Sequence, residues 1–436
     1  MILKRTALLL VAMFSVQFLH AQFCPILGFY PQSAYPVCGN ISIHQGPFLA
    51  CGGKNEIFVP GCTGKGHVYF DKNPYWYKFT CYHTGSFGLE ITPDDATDDF
   101  NWQLFDVTGK SPSVVFNASL AVVVAANWAN TAGSTGTSPA GAAQIQCEAD
   151  NPNTRPSYAA MPDLIQGHNY LLLVSHAVGT GGYNIAFGTS GGTADIRDPS
   201  LPHLKSASTP CPGTPLTLTF TKKLKCSSMD GQYNLPGWGA SELKLSPNLA
   251  TAVGGFKFGC DNTFETDSVR ISFSNQLPPG TYDLIVQNGF DGNTMLDYCD
   301  NAIPVGEKIS FTVPPIVLPH MDSVIQPGCS PDVISLYFKK PIYCSSISPD
   351  GTQFTITGTS PISVVHAQAG NCSSGSAGVA TIVKLTLASP IYGQGNFQIK
   401  LQTGSDGSQL SDLCGCKIPD GETVNFVTMD TVNADF

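Results

Sequence analysis

Five aspartates crowd one stretch of this 436-residue chain: Asp94, Asp95, Asp98 and Asp99, with Asp106 close behind. Carboxylates this dense in a turn-prone loop suit a hard cation that takes six to eight oxygen ligands, and calcium is the ion they point to. The spacing matches no dedicated twelve-residue calcium loop, so the same run also reads as a solvated acidic turn between two strands. Asp291, Asn293, Asp297 and Asp300 form a second oxygen-rich group. Asp-Gly and Gly-Asn are turn formers, which makes a hairpin turn the better reading there.

Covalent chemistry finds less support. Gly188-Thr-Ser-Gly-Gly192 has the form of a nucleophile elbow, but that motif needs a helix behind the serine, and the following residues to Pro199 read as linker. Ser175 and His176 are adjacent, which on a strand sends them to opposite faces. His44, His67, His83, His168 and His176 show no His-x-x-x-His or His-Glu pairing, so a catalytic zinc is unsupported. Cys81 near His83 would suit a thiol nucleophile only in a reducing compartment. Tyr75, Trp76, Tyr77 and Trp102 offer a sugar-stacking platform, although alternation must turn one side of Tyr75–Phe79 into core.

The cysteines say more. There are 15, none within the first 21 residues. Those first residues read as a secretory signal, with Lys4 and Arg5 before the apolar run Ala7–Phe14 and a cleavage point after Ala21. Export makes disulfides the default state. Cys24, Cys38, Cys51, Cys62, Cys81 and Cys147 lie in the leading region. Cys211, Cys226, Cys260 and Cys299 follow, then Cys329, Cys344, Cys372 and Cys414, with Cys416 left over. Even counts per region suggest bridging within each region, and the pairing itself is not readable from sequence.

The two later sets punctuate a repeat. Cys211 to Cys226 and Cys329 to Cys344 are both 15 apart, and each second cysteine opens Cys-Ser-Ser. Gly280-Thr-Tyr-Asp-Leu-Ile-Val286 matches Gly395-Asn-Phe-Gln-Ile-Lys-Leu401, and Lys308–Val313 matches Thr423–Val427. A repeat this long is a duplicated domain. Short alternating segments such as Leu216–Phe220 and Val333–Phe338 predict strands packed on one face. Ala118–Ala126 is the one stretch that tempts as helix, and its β-branched run fits a buried strand as well.

Composition agrees. Only 12% of residues are charged, against roughly 25% in ordinary soluble domains, with turn formers in their place. Loss of Lys4 and Arg5 with the signal leaves 20 basic against 32 acidic residues, a formal charge of −12. That acidity argues against nucleic acid and anionic membranes as partners, and no later segment is apolar enough for a membrane span. The expected organisation is all-β: a signal at 1–21, an N-terminal β-sandwich of jelly-roll or CUB-like type at 22–195, and two tandem immunoglobulin-like sandwiches at 207–315 and 322–430. Pro314–Pro319 is a stiff connector between the last two.

Both repeats resemble bacterial immunoglobulin-like domains of surface-layer and adhesin proteins, on Gly280-Thr-Tyr282 and Asp291-Gly-Asn293. The second copy departs from that pattern at Phe397 and Ser408. The leading region, on Asn73–Cys81, Gly88–Pro93 and Asp98–Asp106, resembles that of large Bacteroidota surface proteins of the gliding-motility and type IX secretion type. Asp267-Ser-Val269, Asp322-Ser-Val324 and Asp430-Thr-Val432 are similar to the short O-glycosylation acceptor of such exported proteins. The resemblance implies a C-terminal sorting domain, which Asn433–Phe436 does not supply, so the sequence reads as a fragment or as leaving the cell by another route. The functional expectation is a non-enzymatic secreted or cell-surface protein for adhesion or structural display, with an extracellular glycan or protein ligand on the head and the repeats as spacer. The alternative is a carbohydrate- or protein-binding accessory region of a secreted hydrolase.

Overall fold

Eleven strands build the two main sheets of the leading region, and near-continuous apolar runs or alternation sort them into layers. The computed structural model describes residues 27–429 apart from 48–54, 64–66, 118–122, 149–155, 180, 210, 230–240, 248–252, 258–259, 261–262, 274, 361 and 374–377. The signal segment, Cys24 and Cys51 lie outside the described residues. The protein is all-β, with no α-helix among them.

A six-stranded sheet runs in the order Tyr35–Pro36, Pro74–Thr80, Asn169–Val178, Asp99–Asp106, Val123–Trp128, Ile145–Cys147. A five-stranded sheet runs Tyr158–Ala160, Thr135–Ser138, Leu89–Pro93, Tyr183–Phe187, Ser42–Gln45. One aromatic core lies between them, built by Tyr75, Tyr77, Phe79, Trp102 and Tyr170 from the larger sheet and Leu89, Ile91, Tyr183 and Phe187 from the smaller. The opposite face of the larger sheet carries a second core, where Trp76, Phe105, Leu171, Leu173 and Trp128 meet Ile57, Val59, Tyr69 and Val115. Cys62–Cys147 ties that cap to the sheet edge. A sheet covered on both sides needs apolar residues at every position, which is why Tyr170-Leu-Leu-Leu-Val174 is continuous and wholly buried. The described part of the helix-like stretch, from Val123 on, is strand.

Each repeat is a sandwich with seven strands among the described residues. In the first, Leu204–Ser208, Leu216–Lys225, Glu265–Phe273 and Val253–Lys257 form one sheet in that order, and Leu243–Ser246, Gly280–Val286 and Lys308–Val313 form the other. In the second, Ser323–Ile325, Val333–Tyr343, Val379–Leu387 and Val364–Ala369 face Phe354–Gly358, Gly395–Leu401 and Thr423–Thr428. By chain order these are strands A-B-E-D against C-F-G, the constant-type immunoglobulin arrangement. Tyr282 sits near the start of strand F and donates its hydroxyl to the Pro278 carbonyl at 2.8 Å, a tyrosine corner. Phe397 holds its place in the second copy and has no hydroxyl to give.

The duplication extends to single bonds. His203 and the Leu204 amide engage Glu307 at 2.8 and 2.6 Å, as His320 (3.1 Å) and the Met321 amide engage Glu422. Ser228 Oγ donates to Lys225 O at 2.9 Å and Ser346 Oγ to Tyr343 O at 2.7 Å.

Candidate functional site

The acidic run does not converge. Asp94 Oδ2 lies 3.0 Å from His44 Nε2. Asp95 Oδ1 accepts the Thr97 amide at 2.9 Å and its hydroxyl at 2.8 Å, and these bonds lower its pKa. Asp98 turns inward, where Oδ2 accepts the Gly181 amide at 2.8 Å and lies 3.3 Å from His176 Nε2. Gly179, at φ +100°, permits that approach, because a Cβ there would stand 1.8 Å from Asp98 Oδ1. Asp99 is buried at the start of its strand. Asp106 accepts Thr108 Oγ1 at 2.6 Å and meets His168 Nδ1 at 2.6 Å. Burial pushes the Asp106 carboxyl up, and the Thr108 and His168 bonds outweigh it, leaving it below its ordinary value. Asp94 and Asp98 both lie against the Gly181–Gly182 segment, each on its own donor. Among the described residues, no group of three or more His, Cys, Asp or Glu side chains could hold a metal ion.

The other sequence candidates resolve similarly. Tyr75, Trp76, Tyr77 and Trp102 are all buried, so the sugar platform is not displayed. The sequence reading left one side of that strand open, and the 57–69 cap closes it. Ser190 does take a positive φ of 56°, as an elbow serine would, but a turn follows it and no helix. Asp291 caps a turn through the Asn293 amide at 3.2 Å, as the turn reading expects. Asp297 and Asp300 are drawn instead to lysines.

The cysteines overturn one expectation. Cys226–Cys260 and Cys344–Cys372 close within their repeats, and Cys62–Cys147 within the head. Cys38 bonds Cys299 and Cys211 bonds Cys414, so bridging is not confined to each region. Cys81 and Cys329 were also expected in bridges and are thiols, as is Cys416. Cys81 is sealed in the core and donates to the His83 carbonyl at 3.2 Å. Cys329 is exposed.

Around both cross-region bridges the same machinery recurs. Asp297 Oδ1 accepts the amides of Cys299 and Asn301 at 2.8 and 2.9 Å, and Asp412 Oδ1 those of Cys414 and Cys416, both at 2.8 Å. Each aspartate thus shapes the loop that presents the bridging cysteine. The other oxygen of each meets a strand-B lysine: Lys222 Nζ at 2.6 Å from Asp297 Oδ2, and Lys340 Nζ on Asp412 Oδ2. The same lysines hold the incoming linker. Lys222 bonds Asp198 Oδ2 at 2.6 Å and the Ser200 carbonyl at 2.8 Å, and Lys340 bonds the Val317 carbonyl. Burial pushes the Asp198 carboxyl up, and the Lys222 and Ser200 bonds more than offset that, holding it below its ordinary value.

Between head and first repeat the seam is broad. Tyr35 sets its edge against Phe264 and Tyr298, with centroids 4.9 and 5.6 Å away, and Lys78 of the head reaches Glu265 at 2.7 Å. A cleft of about 580 Å³ opens along it, lined by Lys78, Tyr82, Lys110, Lys222, Glu265 and Tyr298 among others. Sequence reasoning missed this junction. The repeat alone could not reveal it: only the structure shows that the second and third cysteines of each copy pair, leaving the first and fourth for other partners.

No protein-family profile matches the chain, and no curated protein does. Among solved structures it is similar to the N-terminal part of the bacterial S-layer protein SbsC at 10% identity, covering 53% of this chain and 44% of that one, with a TM-score of 0.24. It is also similar to the Escherichia coli adhesin FdeC (11% identity, 59% and 77% coverage, TM-score 0.20). A biofilm-associated protein BSP domain matches at 9% identity over 91% and 67%, TM-score 0.15. The chain thus spans less than half of the S-layer structure it matches. These neighbours are S-layer, adhesin and biofilm proteins, and likeness at this level leaves function to be argued from the chain itself.

Proposed function

We propose that this chain is a non-enzymatic, exported structural or adhesive protein of the cell surface, in which a head and two immunoglobulin-like modules are locked into one stiff unit. The observation that carries this reading is the pair of disulfides that cross module boundaries, Cys38–Cys299 and Cys211–Cys414. Bridges persist in oxidising compartments, which supports export. A flexible linker would suffice to tether modules. Bridging them, and clamping each linker with Lys222 or Lys340, removes the hinge freedom that is the default between domains. Stiffness of that kind serves reach and load. The head, unique where the modules are duplicated, is the part to carry a glycan or protein ligand.

The gliding-motility and type IX resemblance of Asn73–Cys81 adds an export route to this reading. Surface biotinylation of intact cells tests the proposal. The labelled fraction should contain the chain with both cross-module bridges intact. Recovery from the cytoplasm with those cysteines reduced contradicts it, and secretion unchanged without the type IX machinery removes the finer claim alone.

A further inference from the structure

In each repeat the cysteine of the Asp-x-Cys loop reaches backward to the module before it. Cys299 takes Cys38 of the head, and Cys414 takes Cys211 of the first repeat. Cys211 is therefore both a member of its own module and the acceptor for the next one. Its counterpart in the second repeat is Cys329. The correspondence is fixed by position: Cys211, Lys222 and Cys226 map onto Cys329, Lys340 and Cys344 at one constant offset, and the buried strand residues Leu216, Leu218 and Phe220 map onto Ile334, Leu336 and Phe338. Cys211 is 2% exposed and bonded, while Cys329 is exposed and a thiol. Nearby, Ile391 N–H donates to the Pro331 carbonyl at 3.0 Å, so its neighbour Tyr392, 77% exposed, flanks the same end of the module.

We propose that Cys329 is the acceptor of a third link in this series, and that it takes the loop cysteine of a further immunoglobulin-like module, presented on an Asp-x-Cys turn. The inference rests on the reading of the two existing bridges as module locks, and it continues that interface by one step. The second copy's own Cys414 is occupied by Cys211, so the donor is the loop of a module other than these two. Because acceptor and donor surfaces differ, the contact is head-to-tail and open-ended, where a bond between two Cys329 thiols would be symmetric and closed. Two thiols become one disulfide, and their two protons and two electrons pass to a disulfide oxidant, glutathione disulfide or an oxidoreductase disulfide, which leaves as two thiols.

Disulfide mapping of the full chain, recovered unreduced from its own cells with free thiols trapped by iodoacetamide, tests this. The expected product joins the Cys329 peptide to a peptide from outside residues 1–436 whose bonded cysteine stands in Asp-x-Cys. Cys329→Ser should remove that cross-linked peptide from the unreduced digest and leave the five bridges of the described residues in place. Cys329 recovered alkylated, capped by a small thiol, or bonded to Cys329, Cys416 or Cys81 overturns the proposal. The same digest reports Cys38–Cys299 and Cys211–Cys414. Their absence defeats the reading of module locks itself, whereas their presence beside an alkylated Cys329 defeats the third link alone.

Discussion

Cys414 is bonded to Cys211 across the boundary between two copies of one domain, and Cys299, its counterpart, is bonded to Cys38 of the head. One loop design, shaped by an aspartate that caps two amides and neutralised by a strand-B lysine, thus fastens two different neighbours. The account of this protein as a stiff display unit rests on that recurrence.

The lysine is the first point to probe. Asp297 has a side chain only 3% exposed, and Lys222 is its cation as well as that of Asp198. Lys222→Met leaves a buried carboxylate uncompensated and should cost about 3–5 kcal/mol in the first repeat. Lys340→Met strands Asp412, whose side chain is 1% exposed, and should cost less only because Lys222 holds a second carboxylate, Asp198, besides its own. Denaturant midpoints of the two variants check the order, and equal losses would contradict it.

Removal of the tyrosine corner gives a smaller and sharper test. Tyr282→Phe deletes the bond to Pro278 and leaves the ring packed, so it should cost about 1 kcal/mol. Phe397→Leu in the second repeat has no such bond to lose, and any loss there should follow packing alone.

His176 makes stability depend on pH. It is stacked on Phe100 at 4.2 Å and buried. Burial lowers its pKa by more than the nearby Asp98 carboxylate raises it. As pH falls below about 6.5 the unfolded chain takes the proton first. Its contribution is therefore complete above that pH and is lost as pH falls toward the lowered folded value. Thermal midpoints between pH 7.5 and 5 should decline in the wild type and flatten in His176→Gln.

The acidic run predicts a null result for chelation. Asp94, Asp95, Asp98 and Asp106 each bond a protein donor, so a chelator should leave the thermal midpoint unchanged. A fall with chelator, reversed by calcium, would restore the cation reading.

Much of the fold was legible because it is written in local terms. Alternation at Leu216–Phe220 and Val333–Phe338 gave the strands, and equal cysteine spacings gave the duplication. The head was readable as β but not in its layers: the run Tyr170–Val174 betrays a doubly covered sheet only once the 57–69 cap is known to pack on Trp76. For the carboxylates, spacing records density and not which donors they meet: Asp94 goes to His44 and Asp98 to the Gly181 amide, though both lie against Gly181–Gly182. The bridges stayed hidden because a bond from Cys38 to Cys299, 261 residues away, leaves no local trace.

Force spectroscopy on the full chain, held by its two ends, tests the central claim most directly. With the cross-module and within-repeat bridges closed, the 38–414 stretch can lengthen only through Cys299–Cys260 and Cys226–Cys211. At about 3.4 Å per residue, full unfolding should then extend that stretch to roughly 200 Å when oxidised and roughly 1,300 Å after reduction. Equal extension in both states would contradict the account of a covalently locked unit.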